Sequence, residues 1–146
     1  MEIDTTLEVN GKGFEVLNDN VRAFLEEERF AVLATIKRDG APQQTVMWYE
    51  LQGDQIMMNT AEGRVKAHNF RRDPRISICI EDGYRFVSIS GRVELNEDRE
   101  LALNDIHRLA VRYHGQEKAD AMLDGFRKDV RVTIMMSIDH VITNGF

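Results

Sequence analysis

The residues most suited to chemistry lie in one stretch, NTAEGRVKAHNFRRDPR, from Asn59 to Arg75. Residues 64–75 hold five cations (Arg64, Lys66, Arg71, Arg72, Arg75) against one acid, Asp73, in a chain of net charge −6. One basic block in an acidic protein suits a local anion better than a long polyanion. Arg64 offers a planar fork of donors and Lys66 a mobile point charge, and together they suit phosphate. Thr60 adds a hydroxyl, and Gly63 lets backbone come close to a ligand. A helix starting there would turn unpaired N–H groups and its positive end toward the same point. Arg71 and Arg72 fall near that helix's end, where cations are favourable without any ligand, and read as structural.

Other reactive types are dispersed. His68, His107, His114 and His140 form no metal-ligand spacing with Cys79, the one cysteine. Cys79 lies between Ile78 and Ile80 as a small strand residue with nothing nearby to activate it. No nucleophile, acid–base pair or triad emerges, so no catalytic residue is assigned. Trp48 and Tyr49 point to opposite faces of a strand, one for the interior and the other for a cofactor or subunit interface.

The elements that position the block follow from periodicity. Asn20 is read as the cap of a short helix with Val21, Phe24 and Leu25 on one face. Phe30 to Ile36 is an apolar strand, Asp39-Gly40 a hairpin turn, and Pro42 to Leu51 the return strand. Gln52-Gly53-Asp54 turns into Gln55 to Thr60, which predicts a three-stranded meander. Val65, Asn69 and Phe70 share one side of the next helix, which Pro74 stops. Arg75 to Ile80 and Tyr84 to Leu95 alternate around an Asp82-Gly83 turn. Asn96 or Asp98 opens a longer helix ending at Gly115, and a second runs from Glu117 to Arg127. Val130 to Ile138 is the last strand, with Val130, Val132, Ile134, Met136 and Ile138 on one face and a bulge near Asp139-His140. The fold class expected is mainly β, six antiparallel strands with short helices, in a small closed or nearly closed barrel. Residues 1–20 read as an N-terminal extension and 21–146 as the domain.

At 146 residues, 42% of them apolar, the chain can bury a core unaided. No signal peptide is expected, and no apolar run approaches the ~18 residues of a membrane span. A cytoplasmic location, no membrane and no nucleic-acid partner are expected.

The run FAVLATIKRDGAPQQTVMWYE followed by RVKAHNFRRDPRISI resembles the pyridoxamine 5′-phosphate oxidase-like, flavin-binding split β-barrel superfamily. Within it, the chain is most similar to the branch of small proteins that use the deazaflavin coenzyme F420. The resemblance covers about Val21 to Val141. It implies a six-stranded split barrel and a homodimer with cofactor sites at the interface. It also implies a cofactor phosphate held by Arg64 and Lys66 with help from Asn59 and Thr60. The ring would lie along Thr35 of the first strand and Gln44, Thr45, Val46 and Met47 of the second, largely against backbone. The function it implies is F420-dependent hydride transfer to an unsaturated small molecule. The alternatives are an FMN-dependent oxidoreductase of the same fold and a non-catalytic flavin- or deazaflavin-binding protein. Pyridoxamine phosphate oxidation itself is disfavoured, because SIDHVITNGF at the C-terminus has few basic residues for a substrate phosphate.

Overall fold

A computed structural model describes residues 17–146. Most of the expected N-terminal extension lies outside the described residues. Leu17, however, is buried in the core, so the folded body reaches back at least that far. Helix α1 (Asp19–Glu26) starts two residues earlier than the sequence suggests: Asn18, not Asn20, accepts the Val21 amide and caps it. Its last turn carries no cation of its own. Arg112 supplies one from a later helix, donating to the carbonyls of Leu25, Glu26 and Glu27 that the helix leaves unpaired.

The strands are β1 (Ala31–Ile36), β2 (Pro42–Met47), β3 (Glu50–Gln52), β4 (Gln55–Ala61), β5 (Arg75–Glu81), β6 (Phe86–Asn96), β7 (Arg131–Ser137) and β8 (His140–Asn144). Helices α2 (Val65–Arg72), α3 (Arg99–His114) and α4 (Gln116–Arg127) interrupt them. All pairings are antiparallel, in the order β2-β1-β5-β6-β7-β4-β3, with β8 also on β6. The sheet curls into the expected split barrel, mainly β with short helices.

Six expected strands become eight segments, for two reasons. The return strand breaks at Trp48-Tyr49, where the chain leaves its pairing with β1 and takes up β4 as its partner. Tyr49 is fully buried in the main core and donates its hydroxyl to Leu25 O (2.8 Å). Trp48 stacks on Tyr113 of α3, with ring centroids 5.3 Å apart, and belongs to a second apolar cluster with Met57, Ile106 and Leu109. The predicted meander therefore does not form: β2 and β3 end up at opposite ends of the sheet path, with β4 on β3 and β7. The second break replaces the expected bulge. At Asp139 the chain crosses over, its amide donating to Ser90 O, and β8 then pairs with the first half of β6.

Two facial assignments change, the second because of a helix layer that the strand pattern does not reveal. On α2 the buried residues are Ala67, Asn69 and Phe70, while Val65 is 56% exposed. In the last strand Val130 is exposed, and Arg131, Val132, Thr133 and Ile134 are all buried, since α3 covers the face opposite the main core.

Strand β6 serves both halves of the barrel. Phe86 to Arg92 pairs with β5, and Val93 to Asn96 pairs with β7. Between them, Gly91 lies so close to Ser137 that an added Cβ would sit 1.8 Å from its carbonyl oxygen. Gly91→Ala must displace backbone, and we expect a loss of about 3 kcal/mol, the upper end for overpacking, in urea unfolding. Tyr113 makes a second tie: its hydroxyl donates to Arg29 O and accepts the buried Tyr49 amide at 3.1 Å. Tyr113→Phe leaves that amide unpaired and is expected to cost about 1–3 kcal/mol by the same measurement.

Candidate functional site

Strand β4 ends at Ala61, the chain turns through Gly63 at φ +83°, and α2 begins after Arg64. The positive φ is a conformation that glycine adopts without strain. The start of α2 has no side-chain cap, so its first amides remain open at this turn. The trailing cations of the basic block are all engaged. Arg71 pairs with Glu62 and Glu97, which raise its pKa and, for Glu62, lower the carboxyl's own. Arg75 pairs with Asp73, and Arg72 donates to Ile36 O and to Asn69 Oδ1. No ion pair joins Arg64 or Lys66 among the described residues.

The structure adds a third cation that the sequence reading did not weigh. Arg131 opens β7 directly opposite Ala61, and is only 9% exposed. Its Nε donates to Asn59 Oδ1 at 2.9 Å, while the Asn59 amide nitrogen donates to Ala102 O at 2.9 Å. Asn59 is thus committed to holding Arg131 against α3. A signal for Arg131 existed, since it is the lone cation in the apolar run from Val130 to Ile138. Placing it beside Arg64 required the register of β4 on β7.

Electrostatics bind the three cations into one site. Burial pushes the Lys66 ammonium below its usual pKa, and the charges of Arg64 and Arg131 push it further. Burial likewise lowers Arg131, with Arg64 acting in the same direction and Asp129 against it. The nearest carboxylate of Asp129 is 3.7 Å from Arg131. Like charges converging with so little compensation favour an anion among them. Thr60, on the face of β4 opposite Asn59, is 2% exposed, and its hydroxyl finds no hydrogen-bond partner among the described residues. Such a buried orphan costs about 1–3 kcal/mol until an acceptor reaches it.

The ring-contact candidates are spread over two faces. Thr35 points inward, its hydroxyl accepting from Asn69 Nδ2 at 2.9 Å, which ties β1 to α2. Gln44 and Val46 face outward and are exposed, whereas Thr45 is half-buried and Met47 is buried. Strand β2 ends the sheet path, so its outer backbone edge pairs with no other described strand. Elsewhere, His107 is bound to Asp120 at 2.7 Å, and burial raises the Cys79 thiol's pKa, which keeps it unreactive. No group of side chains suited to a metal ion occurs among the described residues.

Known proteins share the sequence pattern and the fold. The sequence profile of the pyridoxamine 5′-phosphate oxidase family matches residues 17–137. An F420H(2)-dependent biliverdin reductase of Mycobacterium tuberculosis is 29% identical over 99 residues, 66% of this chain and 72% of that protein. A conserved hypothetical protein of Mycobacterium tuberculosis superposes with TM-score 0.76 at 29% identity, covering 92% of this chain and 89% of that one. The fold of an F420 reductase superposes with TM-score 0.70 at 24% identity, covering 86% and 98%. With its curled antiparallel sheet and the profile match across most of its length, the chain belongs to the pyridoxamine 5′-phosphate oxidase family.

Proposed function

We propose that this protein is an oxidoreductase whose flavin-type cofactor, F420 in the first reading, is anchored by its phosphate among Arg64, Lys66 and Arg131. The observation that carries the reading is that Arg64 and Lys66, with no ion pair among the described residues, stand at the uncapped start of α2, where the charges of Arg64 and Arg131 act on Lys66. The donor set fits a phosphate: two guanidinium groups, an ammonium and the open amides of α2, with Thr60 at the end of the strand that leads to them. Asn59 acts by positioning Arg131. The ring lies along β2, with Gln44 and Val46 facing it and Thr35, Thr45 and Met47 contributing through backbone and packing.

When bound, such a cofactor supplies the hydride chemistry, and the protein supplies placement and charge. This explains why no catalytic side chain stands out. The F420 assignment is supported by the biliverdin reductase relative, and FMN, the alternative, by the family as a whole. Biliverdin, the substrate in that relative's name, is the first acceptor to assay. A homodimer is part of the reading. Val32 and Val46, directly paired across β1 and β2, and the neighbouring Phe30 are 38%, 63% and 57% exposed, an apolar face suited to a second copy.

Titration of the purified protein with F420 and with FMN, followed by absorbance or fluorescence, tests the proposal. At least one should bind at micromolar concentration or below. Arg64→Ala, Lys66→Ala and Arg131→Ala should each weaken it about tenfold, roughly 1.4 kcal/mol. Riboflavin, which lacks the phosphate, should be insensitive to all three. Unchanged affinities would reject the site.

The depressed Lys66 pKa gives a pH dependence of defined sign. The protonated form binds phosphate, so affinity is full at low pH. It falls as pH rises through the free protein's Lys66 pKa, which lies below the ordinary 10.5. Lys66→Arg keeps its charge across that range and should abolish the fall.

A further inference from the structure

A cavity of about 580 Å³ lies on the outer face of β1, β5 and β6, where β8 begins. One cross-strand row forms its floor. Ala34 of β1 faces Ser77 of β5, Ser77 faces Ser90 of β6, and Ser90 faces His140 of β8. Their sequence neighbours Leu33, Ile76, Ile89 and Val141 are buried in the main core, so the row itself points outward. Its small side chains leave a trough, which at ~4.8 Å per strand runs roughly 14 Å from Ala34 to His140. On its other side Ala34 pairs with Gln44, so the trough opens beside the strand along which the proposed ring lies. It sits at the opposite end of β1 and β2 from the exposed Val32–Val46 pair.

Charge gathers along this trough. Arg75 and Arg92, a direct β5–β6 pair, both line it, and Asp139 is the one carboxylate in its wall. Like charges directly opposite one another are unfavourable in a sheet. Asp73 compensates Arg75. Nothing compensates Arg92, which uses only its backbone, bonded to the Ser137 hydroxyl; its guanidinium joins no ion pair or hydrogen bond among the described residues. The exposed ring of His140 is likewise free of both, and Asp139 pairs with neither. Arg92 stands in mid-strand, with no helix end to serve. Its charge has no structural use there.

We infer that this trough holds the substrate, and that the substrate is a flat conjugated acceptor carrying a carboxylate, bound by Arg92 and His140. The inference rests on the oxidoreductase reading above and narrows the class of molecule reduced. A flat body fits the floor of Ala34, Ser77 and Ser90, with Ile36 and Pro42 as apolar walls, and lies next to Gln44 and the ring. Arg92 offers a carboxylate its planar fork, and His140 adds a donor at the far end of the row. The uncompensated charge therefore selects acids over neutral acceptors of the same shape. The trough is separate from the phosphate site. Arg64 and Lys66 stand at the start of α2, whereas Arg75, opposite Arg92, follows its end, one helix length or roughly 12 Å further on.

The test uses two flat probes, trans-cinnamate and its methyl ester, titrated by calorimetry into the protein with and without saturating oxidised F420 or FMN. The wild type should bind the acid roughly tenfold more tightly than the ester, with a preference that shrinks as salt is added. Arg92→Ser and His140→Ser, at two exposed positions, should each remove most of that preference. Arg92→Lys should keep part of it. Cofactor affinity and melting temperature should not change in any of the three. Ser90→Phe, which fills the floor of the trough, should abolish cinnamate binding. Equal affinity for acid and ester in the wild type, or a preference that survives both serine variants, would overturn the inference. So would serine variants that weaken the cofactor as much as the acid. The function proposed above fails separately: if neither F420 nor FMN binds while cinnamate keeps its preference, that reading falls and the carboxylate site stands.

Discussion

The close passage of β6 over β7 at Gly91 and Ser137 is the constraint on which the barrel turns. Strand β6 carries β5 and β8 on its first half and β7 on its second, so the sheet must fold over at one point. With backbone against backbone there, no side chain fits between. The Ser137 hydroxyl accepts the Arg92 amide at 2.9 Å, which pairs a group at the point where the ladder changes partner. That fold sets where β7 begins, and thereby where Arg131 meets the end of β4.

The helical layer makes the same region able to hold charge. Helix α3 covers the outer face of β4 and β7, so residues on both faces of these strands are buried. A guanidinium placed there is expensive unless its donors are used. Asn59 uses one of them, and its own amide is fixed by the Ala102 carbonyl of α3. Thr133, next on the same side, donates to Asp105 of α3 at 2.7 Å. The packing that stabilises the barrel therefore also fixes the direction of one cation of the proposed anion site.

Division of labour between the basic residues follows from their partners. Arg71, Arg72 and Arg75 hold α2 to its surroundings through carboxylates and a backbone carbonyl, and Asn69 ties the same helix to Thr35. Arg64 and Lys66, after the turn at Gly63, form no ion pair among the described residues. A helix fixed at its far end by ion pairs presents its near end as a rigid donor surface, which favours binding because little order remains to be imposed.

Local chemistry was enough to read much of this from the sequence. Alternation marked β5 and β6, and Asp-Gly pairs marked both hairpins. Asp98, one of two candidate caps, and Gly115 bounded α3, and the Arg64–Lys66 pair stood out against an acidic chain. These are short-range signals, set by turn geometry, capping and side-chain period. Only tertiary structure decided what depends on partners distant in the chain. Trp48 and Tyr49 look like the middle of one strand until the curl of the sheet changes its partner from β1 to β4. Arg131 looks like a strand residue until the register of β7 on β4 brings it to Asn59. Residues 59 and 131 are joined by the curl of the sheet, and no local preference encodes that meeting.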